Sequence, residues 1–166
     1  MFEAEERVEV EAEPEQVWAV IADFGSHPVL AGSGEVKAVR IDGPVAVGAE
    51  FEGDVVVGGV RSFTSRNVIE VADRPHELGW VSFPPLLDGQ TPDHQIEVHW
   101  TFRLTPTETG TSVEHRFLAP APKADADEWI ALMERIDRVS TVREGMRRTL
   151  ANLKYAAELS MLTKHN

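Results

Sequence analysis

Of the side chains able to move a proton, His115 stands out by its place in a pattern. It alternates with Val113 and Phe117, so on an extended strand all three point the same way, toward a core. Histidine titrates near neutral pH and is the side chain most readily tuned for proton transfer. The position equally suits a hydrogen-bonded core or rim histidine. His99 falls on the polar face of its strand and is expected in solvent. Arg61, Phe63, Ser65 and Asn67 share one strand face. If Phe63 points inward, so do Ser65 and Asn67, and buried polar groups need partners. Those partners are each other, water or a ligand carbonyl. His115 and Asn67 are therefore the candidate catalytic residues. Phe63, Ser65, Trp80, Trp100, Trp129, Met133 and Arg143 are the candidates for binding a ligand. The three tryptophans would line an apolar space or pack a core. Arg143 lies four residues after Val139 and three before Met146, on or beside an apolar helical stripe. A guanidinium there either reaches a buried anion or ligand oxygen, or snorkels outward.

Other chemistries lack their patterns. The histidines at 27, 76, 94, 99, 115 and 165 show no metal-ligand spacing, and neither a phosphate loop nor a GxSxG elbow occurs. Without cysteine there is no disulfide or thiol chemistry. No metal or cofactor is expected. A net charge of −12 argues against nucleic acid and anionic membranes, whose phosphates require basic patches. The apolar runs fall far short of the ~20 residues of a membrane span. The acidic start, Met1 to Glu6, lacks the basic and apolar regions of a secretory signal. A reducing cytoplasm fits a cysteine-free chain. The expected partner is a small molecule, bound by a monomer or homodimer.

The elements that must position these residues follow from periodicity. Val8, Val10 and Ala12 alternate with glutamates, giving a first strand with an acidic outer face. Pro14 opens a short helix with the stripe Val17, Val20, Ile21 and Phe24, ended by Gly25. A short connection follows from His27, with room for one more helical turn. Six strands in hairpin succession are then expected: 35–41, 47–57, 60–71, 77–83, 94–105 and 111–119. The even positions from Ile96 to Leu104 are apolar and the odd ones polar, the cleanest alternation in the chain. Last comes one helix from Asp127 to about Glu158, with Asp125 as N-cap. Its apolar face runs through Trp129, Leu132, Met133, Ile136, Val139, Val142, Met146, Leu150 and Leu153. Gly145 is its weak point. The fold class is α+β: a curved seven-stranded antiparallel sheet around a long C-terminal helix. A single helix cannot fill such a sheet everywhere, so a cavity is expected between the sheet and the helix's first half.

Glu13-Pro14-Glu15-Gln16-Val17-Trp18, the segment around Arg74-Pro75, and Gly145 to Lys154 resemble the START/Bet v 1-like helix-grip superfamily. The nearest likeness is to its polyketide cyclase/dehydrase branch. It covers nearly the whole chain and implies one helix-grip domain over 1–166, with a core at about 4–158 and a tail at 159–166. It also implies a pocket for a small hydrophobic or polyketide-derived ligand, with cyclisation or dehydration as the activity. The strand His99-Trp100-Thr101-Phe102-Arg103 resembles the one whose Trp lines the pocket of the aromatase/cyclases. Phe63 and Ser65 match an aromatic and a serine of those enzymes. Asn67 stands where they carry an arginine, and Gly34 about where they carry a pocket tyrosine. The alternative is a non-catalytic carrier of a hydrophobic ligand with the same fold.

Overall fold

The computed structural model describes residues 1–164. Strand β1 (Phe2–Val10) leads through helix α1 (Pro14–Ile21), a 3-10 turn (Phe24–Ser26) and the single-turn helix α2 (His27–Leu30). Strands β2 (Val36–Ile41), β3 (Glu50–Val57), β4 (Arg61–Asp73), β5 (Glu77–Phe83), β6 (Val98–Pro106) and β7 (Thr111–Ala119) follow. The chain then forms α3 (Ala126–Arg135) and α4 (Arg138–Lys164). All seven strands join one antiparallel sheet in the order β1-β7-β6-β5-β4-β3-β2. The sheet is a meander from β2 to β7 because each hairpin keeps sequential strands adjacent. The helical connection after β1 carries the chain from one edge of the sheet to the other. Register shifts at Val36/Ala38 and Ile69/Val71 mark where β2 and β4 bend.

The inner face of the sheet is read off the buried positions. Ala4 and Val10 of β1, Phe51 of β3, Ile69 of β4, Leu78 of β5, Phe102 and Leu104 of β6, and Val113 and Phe117 of β7 are buried. Helix α4 covers this face with Val142, Met146, Leu150, Leu153 and Ala157. At 27 residues it is about 40 Å long. The core falls into two clusters rather than one. The larger joins α1, Phe24, Phe51, Ile69, Leu78, Phe102 and the C-terminal half of α4. The smaller joins Ala4, Phe117, Ala119, Trp129, Val142 and Met146.

The expected final helix is two helices. The chain breaks at Asp137, whose φ is +49°, a left-handed conformation aspartate tolerates better than most residues. Arg138 then makes a forked, half-buried ion pair with Glu35, at 2.9 and 3.1 Å. The break re-phases the apolar stripe. Trp129 stays buried, but Leu132 and Ile136 are 39% and 48% exposed. Helix α4 also continues to Lys164, past the expected end near Glu158 and through most of the expected 159–166 tail. Asp125 does not cap through its side chain; it has φ +54°, and its carboxylate accepts from His94 Nε2 at 2.9 Å.

Gly145 is a contact point rather than a weak one. A Cβ there would lie 3.2 Å from the Cβ of Ser33. Gly32 is tighter: a Cβ would come within 2.2 Å of Arg148 Cβ and 2.6 Å of the Thr149 nitrogen. The Gly32 N–H donates to Thr149 Oγ1 at 2.9 Å, and Thr149 in turn donates to the Gly145 carbonyl at 2.9 Å. The linker between α2 and β2 thus lies directly on α4. Gly32→Ala is expected to lower stability by about 1–3 kcal/mol, the range for overpacking. Urea unfolding of the two proteins checks this, with Gly34→Ala as a comparison where a Cβ meets no neighbour and only backbone strain acts.

Candidate functional site

His115 does face inward, and its surroundings are narrowly defined. Its ring is 4% exposed and stacks on Phe102, with centroids 3.9 Å apart and planes 4° from parallel. Trp100 lies on the same side at 5.7 Å. The Nδ1 atom is 3.0 Å from the Thr101 carbonyl. A carbonyl only accepts, so Nδ1 carries the proton and Nε2 presents the lone pair. Among the described residues Nε2 makes no hydrogen bond, and no fully enclosed side-chain N or O lacks a partner. Nε2 is therefore not fully enclosed, although the residue as a whole is buried. Burial pushes the imidazole down to about 4, opposed by the Thr101 hydrogen bond and helped by the nearby His27. At pH 7 it is a neutral acceptor.

His27 is a second buried histidine, which sequence patterning left in a connection. Its Nε2 lies 2.7 Å from the Ile21 carbonyl, and its ring contacts Phe24 at 4.4 Å and Trp80 at 5.5 Å. Burial lowers its pKa too, with the Ile21 contact and Asp23 opposing. The chain of rings His27, Trp80, Phe102 and His115 crosses the interior. The sequence did hold a signal: His27 is three residues after the core Phe24, on the same helical face.

The other candidates separate. Ser65 and Asn67 are buried on the inner face, at 6% and 2% exposure. Their hydrogen bonds go to the sheet: Ser65 Oγ to the Gly53 carbonyl at 3.3 Å, Asn67 Nδ2 to the Phe51 carbonyl at 3.2 Å and to Ser65 Oγ at 3.2 Å. They sew β4 to β3 opposite Gly53, which leaves room for them. Nor are they beside His115. Residues opposite one another run His115, Phe102, Leu78, Ala72, which places Asn67 three strands away and five positions further along β4. One of the five is the extra residue of the register shift at Ile69/Val71, so on a flat sheet that is roughly 14 Å across the strands and 13 Å along them. His115 and Asn67 are thus not brought together as a catalytic pair.

Arg143 points outward. Its side chain is 45% exposed and its Nε donates to Glu6 Oε1 at 3.1 Å, a carboxylate shared with Arg147. A position four residues from Val139 and three from Met146 sits at the stripe's edge once α4 is rotated by the break. The guanidinium finds its anion on the edge strand β1 instead of inside. Trp129 is buried edge-on against Phe2, and Met133 is half-buried beside the smaller cluster. Trp80 and Trp100 are inward but only half-buried. The same holds for Val55, Phe63, Ser82, Ile96 and Val98 of the sheet side and for Ile130 and Val139 of the helix side. Ile96, Val98, Trp100, Ile130 and Val139 pack against the smaller cluster, on the side where the cavity between sheet and helix was expected. Phe63 belongs to neither cluster. Two recesses are present elsewhere, neither of them lined by these residues. One, of about 70 Å³, is on the outer sheet face by Glu77, Arg103 and Glu114. The other, of about 310 Å³, is by Glu11, Pro106 and Met161. Among the described residues no group of His, Cys, Asp or Glu is arranged to hold a metal ion.

A family model described as polyketide cyclase / dehydrase and lipid transport matches residues 1–158. The chain belongs to this family. Solved structures share its fold. The di-domain ARO/CYC StfQ from the steffimycin biosynthetic pathway is 16% identical with a TM-score of 0.72, over 96% of this chain and 52% of that one. A Polyketide_cyc-like protein from Corynebacterium glutamicum is 23% identical with a TM-score of 0.60, over 99% and 96%. A START superfamily protein from Mycobacterium smegmatis is 15% identical with a TM-score of 0.61, over 95% and 97%. A comparison with curated proteins gives no match. Among the described residues of this polyketide cyclase / dehydrase and lipid transport family member, no helix is long and apolar enough to cross a membrane.

The buried imidazole makes stability depend on pH. Its folded value, about 4, lies below the usual value near 6.5, so on acidification the unfolded chain takes the proton first. The contribution is fully present above pH 6.5 and is lost as pH falls from 6.5 toward 4. The loss reaches about 3 kcal/mol. His115→Phe keeps the stack and removes the titration. The difference in urea stability between wild type and variant should therefore change across this window and stay flat above it.

Proposed function

We propose that the protein binds a small hydrophobic or polyketide-derived ligand in the space between the open end of the sheet and α3, and promotes its cyclisation or dehydration with His115 as the proton acceptor. One observation carries this: a neutral, inward imidazole fixed by Thr101 and Phe102, with Nε2 unbonded among the described residues and not fully enclosed. The lone pair would take a proton from a carbon next to a ligand carbonyl. The enolate carbon would attack a second carbonyl of the same chain, and the imidazolium would return the proton to the new alkoxide. A second proton removal would give an enolate that breaks the C–O bond of the new hydroxyl, which takes the imidazolium's proton and leaves as water. The apolar walls near Trp80 and Trp100 would fold the chain into a reactive conformer. Family membership and the ARO/CYC fold likeness support this reading.

A carrier of a hydrophobic ligand is the second reading. It is favoured by Ser65 and Asn67, whose hydrogen bonds are committed to the sheet rather than left free for a substrate carbonyl. Ligand material co-purifying under native conditions, identified by mass spectrometry, supplies the test substrate. His115→Gln should lower its turnover by roughly 10² to 10⁴, the usual range for general acid–base catalysis, with affinity within a few fold. Equal turnover in both proteins removes histidine catalysis, and binding without turnover in either leaves the carrier. In both readings Asn67→Ala should act mainly on stability, costing about 1–3 kcal/mol for the carbonyl left unpaired.

A further inference from the structure

The charge pattern at the open end of the space points to a feature of the ligand. Ten of the described arginines lie within ion-pair distance of a carboxylate. That is the expected outcome in a chain of net charge −12. Arg61 and Arg135 are not among them. Arg135 stands in the last turn of α3, where the helix's own carbonyl ends carry partial negative charge. Arg61 has no such account. It is exposed, yet it sits on the inner-face row Arg61, Phe63, Ser65, Asn67, the last two of which are buried. Its guanidinium lies over the Phe63 ring at 5.2 Å from the centroid, which holds it toward the inner side.

The neighbours of Arg61 are apolar or already neutralised. Val57 is opposite Arg61, Val55 is opposite Phe63, and Val36 is opposite Val55. Glu35, next in the chain to Val36, is held by Arg138 in the forked pair. Among the described residues, this apolar stretch thus ends in a guanidinium with no carboxylate at ion-pair distance. Burying an anion deep among Trp80 and Trp100 would cost far more than leaving it at a wet rim. Resting on the ligand-binding reading above, we infer that Arg61 receives the anionic group, a carboxylate or phosphate ester, of an amphipathic ligand whose apolar body extends over Phe63 into the space. A guanidinium suits both anions, because its paired N–H groups match two oxygens at once.

Two dyes that differ only by a charge test this: 8-anilinonaphthalene-1-sulfonate and its uncharged parent N-phenyl-1-naphthylamine. Arg61 is exposed and outside every described ion pair, so R61Q is expected to fold as wild type. R61Q should weaken the sulfonate dye roughly fivefold, as expected for a charge-assisted contact at a wet site, and leave the neutral dye within about twofold. R61K should recover part of the loss, and added salt should shrink the wild-type advantage. Displacement of the neutral dye by dodecanoate and by dodecyl phosphate then tells which anion is preferred, and R61Q should weaken the preferred one. Equal effects of R61Q on both dyes, or no effect on either, overturn the inference while leaving an apolar ligand space in place. Failure of wild type to bind either dye overturns the ligand-binding reading itself, and the role of Arg61 with it.

Discussion

Everything in this molecule depends on how α4 is seated against the concave face of the sheet. A seven-stranded antiparallel sheet has one face to bury, and a helix has only a narrow apolar stripe to offer. The stripe from Val142 to Ala157 closes the sheet at the end where α1 and Phe24 also contribute. The contact is close because Gly32 and Gly145 let the α2–β2 linker lie on the helix, with Thr149 taking the Gly32 N–H. Toward the other end the helix has no partner layer of its own length. There the chain breaks at Asp137, and α3 covers part of the remaining face with Trp129, Ile130 and Met133.

The polar interior follows from this arrangement. Two apolar clusters meet along a line of aromatic and imidazole rings rather than merging. His115 is acceptable there because it is neutral, stacked and bonded at Nδ1, which removes most of the cost of burying a polar ring. Ser65 and Asn67 are acceptable for a different reason. They satisfy each other and two carbonyls of β3. Among the described residues, His115 keeps Nε2 and His27 keeps Nδ1 without a hydrogen bond, whereas Ser65 and Asn67 are tied to the sheet.

Charge is handled at the surface. The acidic β1 strand presents Glu6 to Arg143 and Arg147, and Glu35, just before β2, meets Arg138. Exposed pairs of this kind contribute at most about 1 kcal/mol each, so their main effect is to orient edges. The half-buried Glu35–Arg138 pair has the better geometry. It ties the start of α4 to the chain just before β2.

The sequence by itself determined the elements, because hydrophobic alternation and helical periodicity are local and strong. Strands β5 and β7 begin and end where their patterns do, and the inward face of Ile96 to Leu104 is the face that carries Phe102 and Leu104 into the core. The inward direction of His115, Ser65 and Asn67 was legible for the same reason. Tertiary structure decided what those residues do. Whether Asn67 meets His115 depends on the pairing register from β4 to β7 and on which groups each side chain bonds, neither of which is read from spacing along the chain. Whether Arg143 is inside or outside depends on the rotation of α4, and a left-handed Asp137 sets that rotation. The part played by Gly32, Gly145 and His27 was hidden because each acts through a close approach of segments far apart in sequence. A pattern read along the chain reports which way a side chain points; only the packed structure reports what it meets.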